Sequence, residues 1–235
     1  MRSLILTFTI NILISSLESC QRAVLSTQKI TPELKQRILD LHNSKRQSIA
    51  YGQVIGQPPA GDMLEIKWDE ELAVRAQRWA SSCTSEDHDP QRKTMRFLVG
   101  QNIATYWTSQ KPETLRDLQP DFDKVINGWF SEVRSYKYGQ IFSNPRNGHY
   151  TQMIWGKTYL IGCGYALYFN PSQGYTKNYV CNYGPGGNIL LRTPYEVSYP
   201  SCHNYKLNFS KTWKGLCEYP PNQNPHTFNH ILHRV

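Results

Sequence analysis

The sequence has no HExxH pair, no GxSxG nucleophile turn and no glycine-rich phosphate cradle. Those absences remove the signatures of zinc proteases, serine hydrolases and nucleotide-binding enzymes. CxxC is missing too, and the six cysteines are spaced unlike any zinc finger. Beyond the N-terminal segment, charged residues, Gly or Pro interrupt every apolar run, whereas a bilayer span needs roughly 20 apolar residues. Acids are scarce: 18 Asp and Glu face 26 Lys and Arg, a formal charge of +8. The basic residues are scattered and no nucleic-acid motif accompanies them, so nucleic acid is not an expected partner. The excess favours anionic surfaces such as membranes, glycans or acidic channel mouths. No internal repeat is present.

What is there begins with Met1-Arg2, an apolar stretch from Leu4 to Leu17, and small residues at Ser15, Ser16 and Ser19. A basic start, a short apolar run and a small-residue exit predict a secretory signal peptide over 1–19, and hence a secreted, extracellular protein that keeps Cys20. Six cysteines (Cys20, Cys83, Cys163, Cys181, Cys202, Cys217) in an exported chain read as a closed disulfide framework. After about Arg192, prolines and Cys202 and Cys217 punctuate a tail without helical or strand periodicity. These two cysteines lie close in sequence and are expected to bridge each other. The organisation expected is signal peptide 1–19, main domain 20–192 and a Cys/Pro-rich extension 193–235 whose end, Asn222–Val235, is flexible. Asn208-Phe209-Ser210 is an N-glycosylation sequon, making Asn208 a candidate glycan site.

Within the domain, Thr31-Pro32-Glu33 starts a helix by capping hydroxyl, N1 proline and first-turn acid. Leu34, Ile38 and Leu41 continue it. A second helix is expected from Asp69 to about Cys83, burying Leu72, Ala76, Trp79 and Cys83. A third runs from Asp121 to about Tyr136, with Val125, Ile126, Trp129, Phe130 and Val133 inward. Residues 84–99 read as loop. From His149 to Phe169 the alternation and the Tyr, Ile and Trp content favour strands, as do Lys177–Tyr183. Helices, loops and strands without βαβ repetition give an α+β class.

Candidate chemistry is sparse. His149 follows a Gly-containing loop, where a lone histidine is more often a hydrogen-bonded structural residue than a ligand. Glu132 sits beside the apolar face of the third helix, where an acid ordinarily points to solvent. His88, among Glu86, Asp87 and Asp89, reads as a solvated loop histidine.

Two longer segments carry more. Gly148-His149-Tyr150-Thr151-Gln152-Met153-Ile154-Trp155 and Tyr179-Val180-Cys181-Asn182-Tyr183-Gly184-Pro185-Gly186-Gly187-Asn188 resemble the two signature segments of the CAP superfamily of cysteine-rich secretory, antigen 5 and pathogenesis-related 1 proteins. Leu41-His42-Asn43 with Arg46, Trp68-Asp69-Glu70-Glu71-Leu72-Ala73, Trp79-Ala80 and Gly100-Gln101-Asn102-Ile103-Ala104 match its other blocks in order, over residues 30 to 192. The resemblance implies an α-β-α sandwich whose central cleft is lined by two histidines and two acids. Carried over, these are His88, His149 and Glu132, with Gln101 where the family usually has an acid. That glutamine and the Gly56-Gln57-Pro58-Pro59 loop resemble arthropod venom allergen 5-like proteins. The family pattern implies a Cys163–Cys181 bridge; with Cys202–Cys217 in the tail, Cys20–Cys83 remains.

His88, His149 and Glu132 would then offer a weak site for a divalent ion such as zinc, weakened by the charge lost at Gln101. Paired-carboxylate acid–base work loses its second acid. The resemblance therefore implies a non-enzymatic secreted binder of a sterol, fatty acid or eicosanoid, or of a target-membrane protein, with Tyr106, Trp107, Trp129 and Phe130 as groove candidates. The alternatives are an ion-channel-modulating toxin and a protease using His149, Glu132 and His88.

Overall fold

The computed structural model describes residues 24–27, 29–83, 87–141 and 146–221. The expected signal peptide, Cys20, Glu86 and the Asn222–Val235 end lie outside the described residues.

Helix α1 (Pro32–Ala50) begins as the sequence dictates, Thr31 Oγ1 accepting the Leu34 amide. Helix α2 (Glu70–Ala80) is capped by Asp69, which accepts from the Leu72 amide. It stops before Cys83, whose φ of 58° lies in the left-handed region, so Cys83 is not on the helix face expected for it. Helix α3 (Leu115–Leu118) is one turn with a capping box at Thr114. Helix α4 (Phe122–Ser131), capped by Asp121, passes into a 3₁₀ turn over Glu132–Ser135.

The sheet is built on β4 (Leu160–Asn170) and β5 (Gly174–Gly184), with β3 (Gly100–Thr108) along the outer edge of β5. On its other side β4 carries β1 (Val24–Ser26), antiparallel, and β2 (Lys67–Trp68), parallel. Alternation decides the two faces. Cys163, Tyr165, Leu167, Tyr179, Cys181 and Tyr183 pack on Ile38 and Leu41 of α1 and on Phe122, Val125, Ile126 and Trp129 of α4. Ala166 and Val180 meet Ala76 and Ala80 of α2. A Cβ on Gly162 would stand 2.1 Å from the Ala73 amide nitrogen, and one on Gly164 2.4 Å from Gln77 Cα. Those glycines let α2 lie directly on β4. The result is the α-β-α sandwich expected.

Cys163 and Cys181 are directly opposed across β4 and β5 and are bridged. Cys202 and Cys217 are also bridged. Cys83 is disulfide-bonded, and Cys20, its expected partner, lies outside the described residues. The extension has more order than its composition suggests. A 3₁₀ turn (Cys202–Tyr205) and the pair β6 (Asn208–Phe209) and β7 (Cys217–Glu218) close a small core of Leu64, Cys202, Leu207 and Cys217. Bridges Ala60–Val197 and Leu64–Cys217 tie it to the domain. Short strands anchored by tertiary contacts leave no periodicity to read. Asn208 is exposed on β6, so a glycan there would project into solvent.

Candidate functional site

His149 lies in α5 (Gly148–Met153), a helix and not the strand its alternation suggested; the strand begins eleven residues later, at Leu160. The reason is tertiary. Tyr150, Thr151, Gln152 and Met153 are all buried, so a six-residue helix shows no polar face. Its first amides, which lack intrahelical acceptors, are taken by a carboxylate from another element: the His149 and Tyr150 N–H groups both donate to Glu132 Oε2 at 3.1 Å.

Glu132 also holds the ring. Its Oε1 is 2.6 Å from His149 Nδ1, so Nδ1–H donates to the carboxylate and the Nε2 lone pair faces outward. The indole of Trp129 stacks on the imidazole, centroids 5.7 Å apart and planes 26° apart. The other two expected residues form a second pair. Gln101 Oε1 lies 3.1 Å from exposed His88 Nδ1 and accepts the Asp89 amide at 3.0 Å. Buried Asp89 fixes this loop through Arg78 at 2.6 Å.

Gln101 is specified by its neighbour. Asn182, opposite it in the β3–β5 register, donates Nδ2 to the Leu72 carbonyl at 3.2 Å and so turns Oδ1 toward position 101. Gln101 Nε2 donates to that Oδ1 at 2.9 Å; a carboxylate has no proton to give there. Pleating directs Gln101 to the α2 side and Asn102 to the α5 side, where Asn102 Nδ2 donates to the His149 carbonyl at 3.1 Å.

This geometry does not suit zinc as read from the sequence. Both Glu132 oxygens accept hydrogen bonds from α5, which makes it the residue that orients His149. Among the described residues no three His, Cys, Asp or Glu side chains converge on a common point, and protein zinc sites use three or four ligands.

The sequence did not single out the network behind the cleft, although its residues stand inside the recognised blocks. Asn102 Nδ2 also reaches the Tyr183 hydroxyl at 3.3 Å, which lies 3.0 Å from His42 Nε2, while His42 Nδ1–H donates to the Ile38 carbonyl at 2.8 Å. Burial pushes the His42 imidazole down to about 4. An unfolded histidine titrates near 6.5, so between these values the unfolded chain holds the extra proton and stability falls as pH drops. Chemical denaturation at pH 7 and near pH 4.5 should therefore show wild type losing about 2–3 kcal/mol more than His42→Gln. Equal losses would remove His42 as the acid-sensitive group.

Residues 39–183 match the model of the cysteine-rich secretory protein (CAP) family. The chain belongs to that family. It is 36% identical over 211 residues to salivary antigen-5 of Triatoma infestans, covering 82% of this chain and 84% of the relative. It is 42% identical over 189 residues to venom allergen 5.01 of Dolichovespula maculata, covering 76% and 78%. Among solved structures it is similar to BmVAL-1, with a TM-score of 0.64, 29% identity and coverage of 82% and 97%. NaASP2, whose crystal structure contains Zn2+, gives 0.63, 27%, 80% and 96%.

Proposed function

We propose that this CAP protein is an exported, non-enzymatic binding protein of the venom allergen 5 type whose ligand is a small acidic lipid, a fatty acid or an eicosanoid. One observation carries the non-enzymatic reading. Glu132, the only acid among the four cleft residues, uses both oxygens to hold His149 and the start of α5. Paired-carboxylate hydrolysis needs a second acid in reach of the first, and position 101 supplies an amide. The Glu132–His149 pair would need a nucleophile, and among the described residues none hydrogen-bonds to the His149 ring besides Glu132. Ser135, the nearest serine in sequence to Glu132 on its C-terminal side, donates to the carbonyls of Glu132 and Arg146 and is not aligned on an imidazole. A protease using His149, Glu132 and His88 is therefore the weaker reading.

An open groove of about 340 Å³ between the start of α1 and the segment before α4 supports the ligand class. Leu34 and Pro120 give it apolar wall; Glu33 also lines it and Arg37 is paired with Asp123, which leaves Lys29 as the cation to meet a headgroup. That combination suits a carboxylate headgroup better than the neutral hydroxyl of a sterol. The groove candidates read from the sequence have other positions: Trp129 is buried against His149, Phe130 packs on Tyr150 and Tyr106 on Tyr179, while Trp107 is 63% exposed. The extension, stitched to the domain through Leu64 and Ala60, does not have the form of a separate channel-blocking module. Lipid extraction of the protein purified from culture medium, followed by mass spectrometry, should recover fatty acid or eicosanoid near one equivalent from wild type and His149→Ala alike. Protein free of lipid that also takes up none would defeat the proposal.

A further inference from the structure

The loop after β5 presents three large aliphatic side chains in a row to solvent: Ile189, Leu190 and Leu191 are 53%, 61% and 62% exposed. Isolated exposed apolar residues are ordinary, but consecutive ones on a projecting loop are a surface with a purpose. The loop is held in that form. Asn188 and Leu191 both have positive φ, 54° and 62°, a region that branched aliphatic residues rarely enter. Its base is pinned where the Leu191 amide donates to the Ile141 carbonyl and the Ile141 amide to the Arg192 carbonyl, at 2.9 and 2.8 Å. Asn188 Nδ2 donates to the Gly148 carbonyl at 2.8 Å. Leu98, 64% exposed, stands beside the start of the loop, where its carbonyl accepts the Gly186 amide at 2.7 Å.

Charge around this tip is predominantly positive; the flanking acids are Glu132, which is paired with His149, and exposed Glu196. The segments bordering it, 133–141, 146–155 and 186–195, contain Arg134, Lys137, Arg146 and Arg192 and no Asp or Glu, and all four cations are exposed. Hydrogen bonds from Ser135 to the Arg146 carbonyl and from Asn147 to the Ser135 carbonyl hold two of these segments together. A projecting aliphatic tip ringed by cations matches the interface of a bilayer with anionic headgroups: the tip enters the acyl boundary while the ring meets phosphates and carboxylates. We propose that Ile189–Leu191 is a membrane-docking wedge that seats the protein on anionic lipid surfaces. This goes beyond the groove ligand, since the wedge and the groove draw on different residues.

Vesicle flotation with the full secreted chain tests it. Binding should be strong to vesicles of phosphatidylcholine with about one-third phosphatidylserine, weak to phosphatidylcholine alone, and reduced when salt is raised to about 0.5 M. The variant with Ile189, Leu190 and Leu191 all replaced by serine should bind at least about tenfold more weakly with unchanged thermal stability and unchanged fatty-acid uptake. An environment-sensitive dye on Leu190→Cys should brighten and shift to the blue on vesicle addition. Undiminished binding by the triple serine variant, or no binding of wild type to anionic vesicles, would overturn the wedge. Self-association that the triple variant abolishes, in the absence of vesicle binding, would overturn it in favour of a second copy of this chain as the occupant.

Discussion

Replacing Arg46 with alanine should abolish most of the stability of the fold. The guanidinium is fully buried in α1 and makes six hydrogen bonds to five main-chain carbonyls: two to Leu64, and one each to Met153, Trp155, Gly156 and Thr158. Of these, Trp155 and Gly156 keep main-chain donors in the Thr158 and Leu64 amides, so loss of Arg46 strands the carbonyls of Leu64, Met153 and Thr158. Burial pulls the guanidinium down to about 9, so it keeps its charge at neutral pH. Each carbonyl left without a donor costs about 1–3 kcal/mol. The expected loss exceeds about 4–5 kcal/mol, against a total of roughly 5–15 kcal/mol for a domain. Lysine should rescue little, since one ammonium offers three donors from a point and not a planar fork of five. Urea denaturation of Arg46→Ala and Arg46→Lys checks this. A loss below about 1 kcal/mol would show that water replaces the guanidinium at these carbonyls.

The second large effect is expected at Glu132. Alanine there strands the His149 Nδ1–H and two amides at the start of α5. Hydrogen bonds to a charged acceptor are worth about 1.5–3 kcal/mol each, but the pair is partly open to water, with His149 34% and Glu132 20% exposed. A loss of about 2–4 kcal/mol follows. Glutamine is the sharper probe. Its carbonyl oxygen can keep the two amides, which turns its NH₂ toward His149 Nδ1. The ring should then accept at Nδ1 and carry its proton on Nε2, a tautomer exchange visible in the imidazole nitrogen shifts. An unchanged tautomer would mean that Glu132 does not set the state of the ring.

The blocks that carry the family likeness and the three long helices were legible because their causes are local: Thr31, Asp69 and Asp121 cap, and Leu72, Ala76, Val125 and Trp129 recur at helical spacing. Cys163 and Cys181 followed from the family pattern, and their register explains it. Illegible features had distant causes. Helix α5 exists because Glu132, seventeen residues earlier in sequence than His149, supplies acceptors for its first amides. Glu132 turns inward where acids near a helix end are usually solvated, and no spacing rule announces that. Gln101 could be seen as a departure from the family, but its fit required the orientation of Asn182, set in turn by a carbonyl of α2. The extension shows no periodicity in sequence because two-residue strands leave no pattern, whereas its packing rests on Leu64 and Leu207.

A protein that works by binding and not by catalysis at its cleft should take up ligand independently of His149. Calorimetric titration of delipidated wild type and His149→Ala with a long-chain fatty acid, alongside Lys29→Glu, tests it most directly. The account predicts saturable uptake with the same affinity in wild type and His149→Ala, and weaker uptake in Lys29→Glu at the groove beside α1. Absence of saturable uptake, or its loss in His149→Ala with Lys29→Glu unaffected, would contradict it.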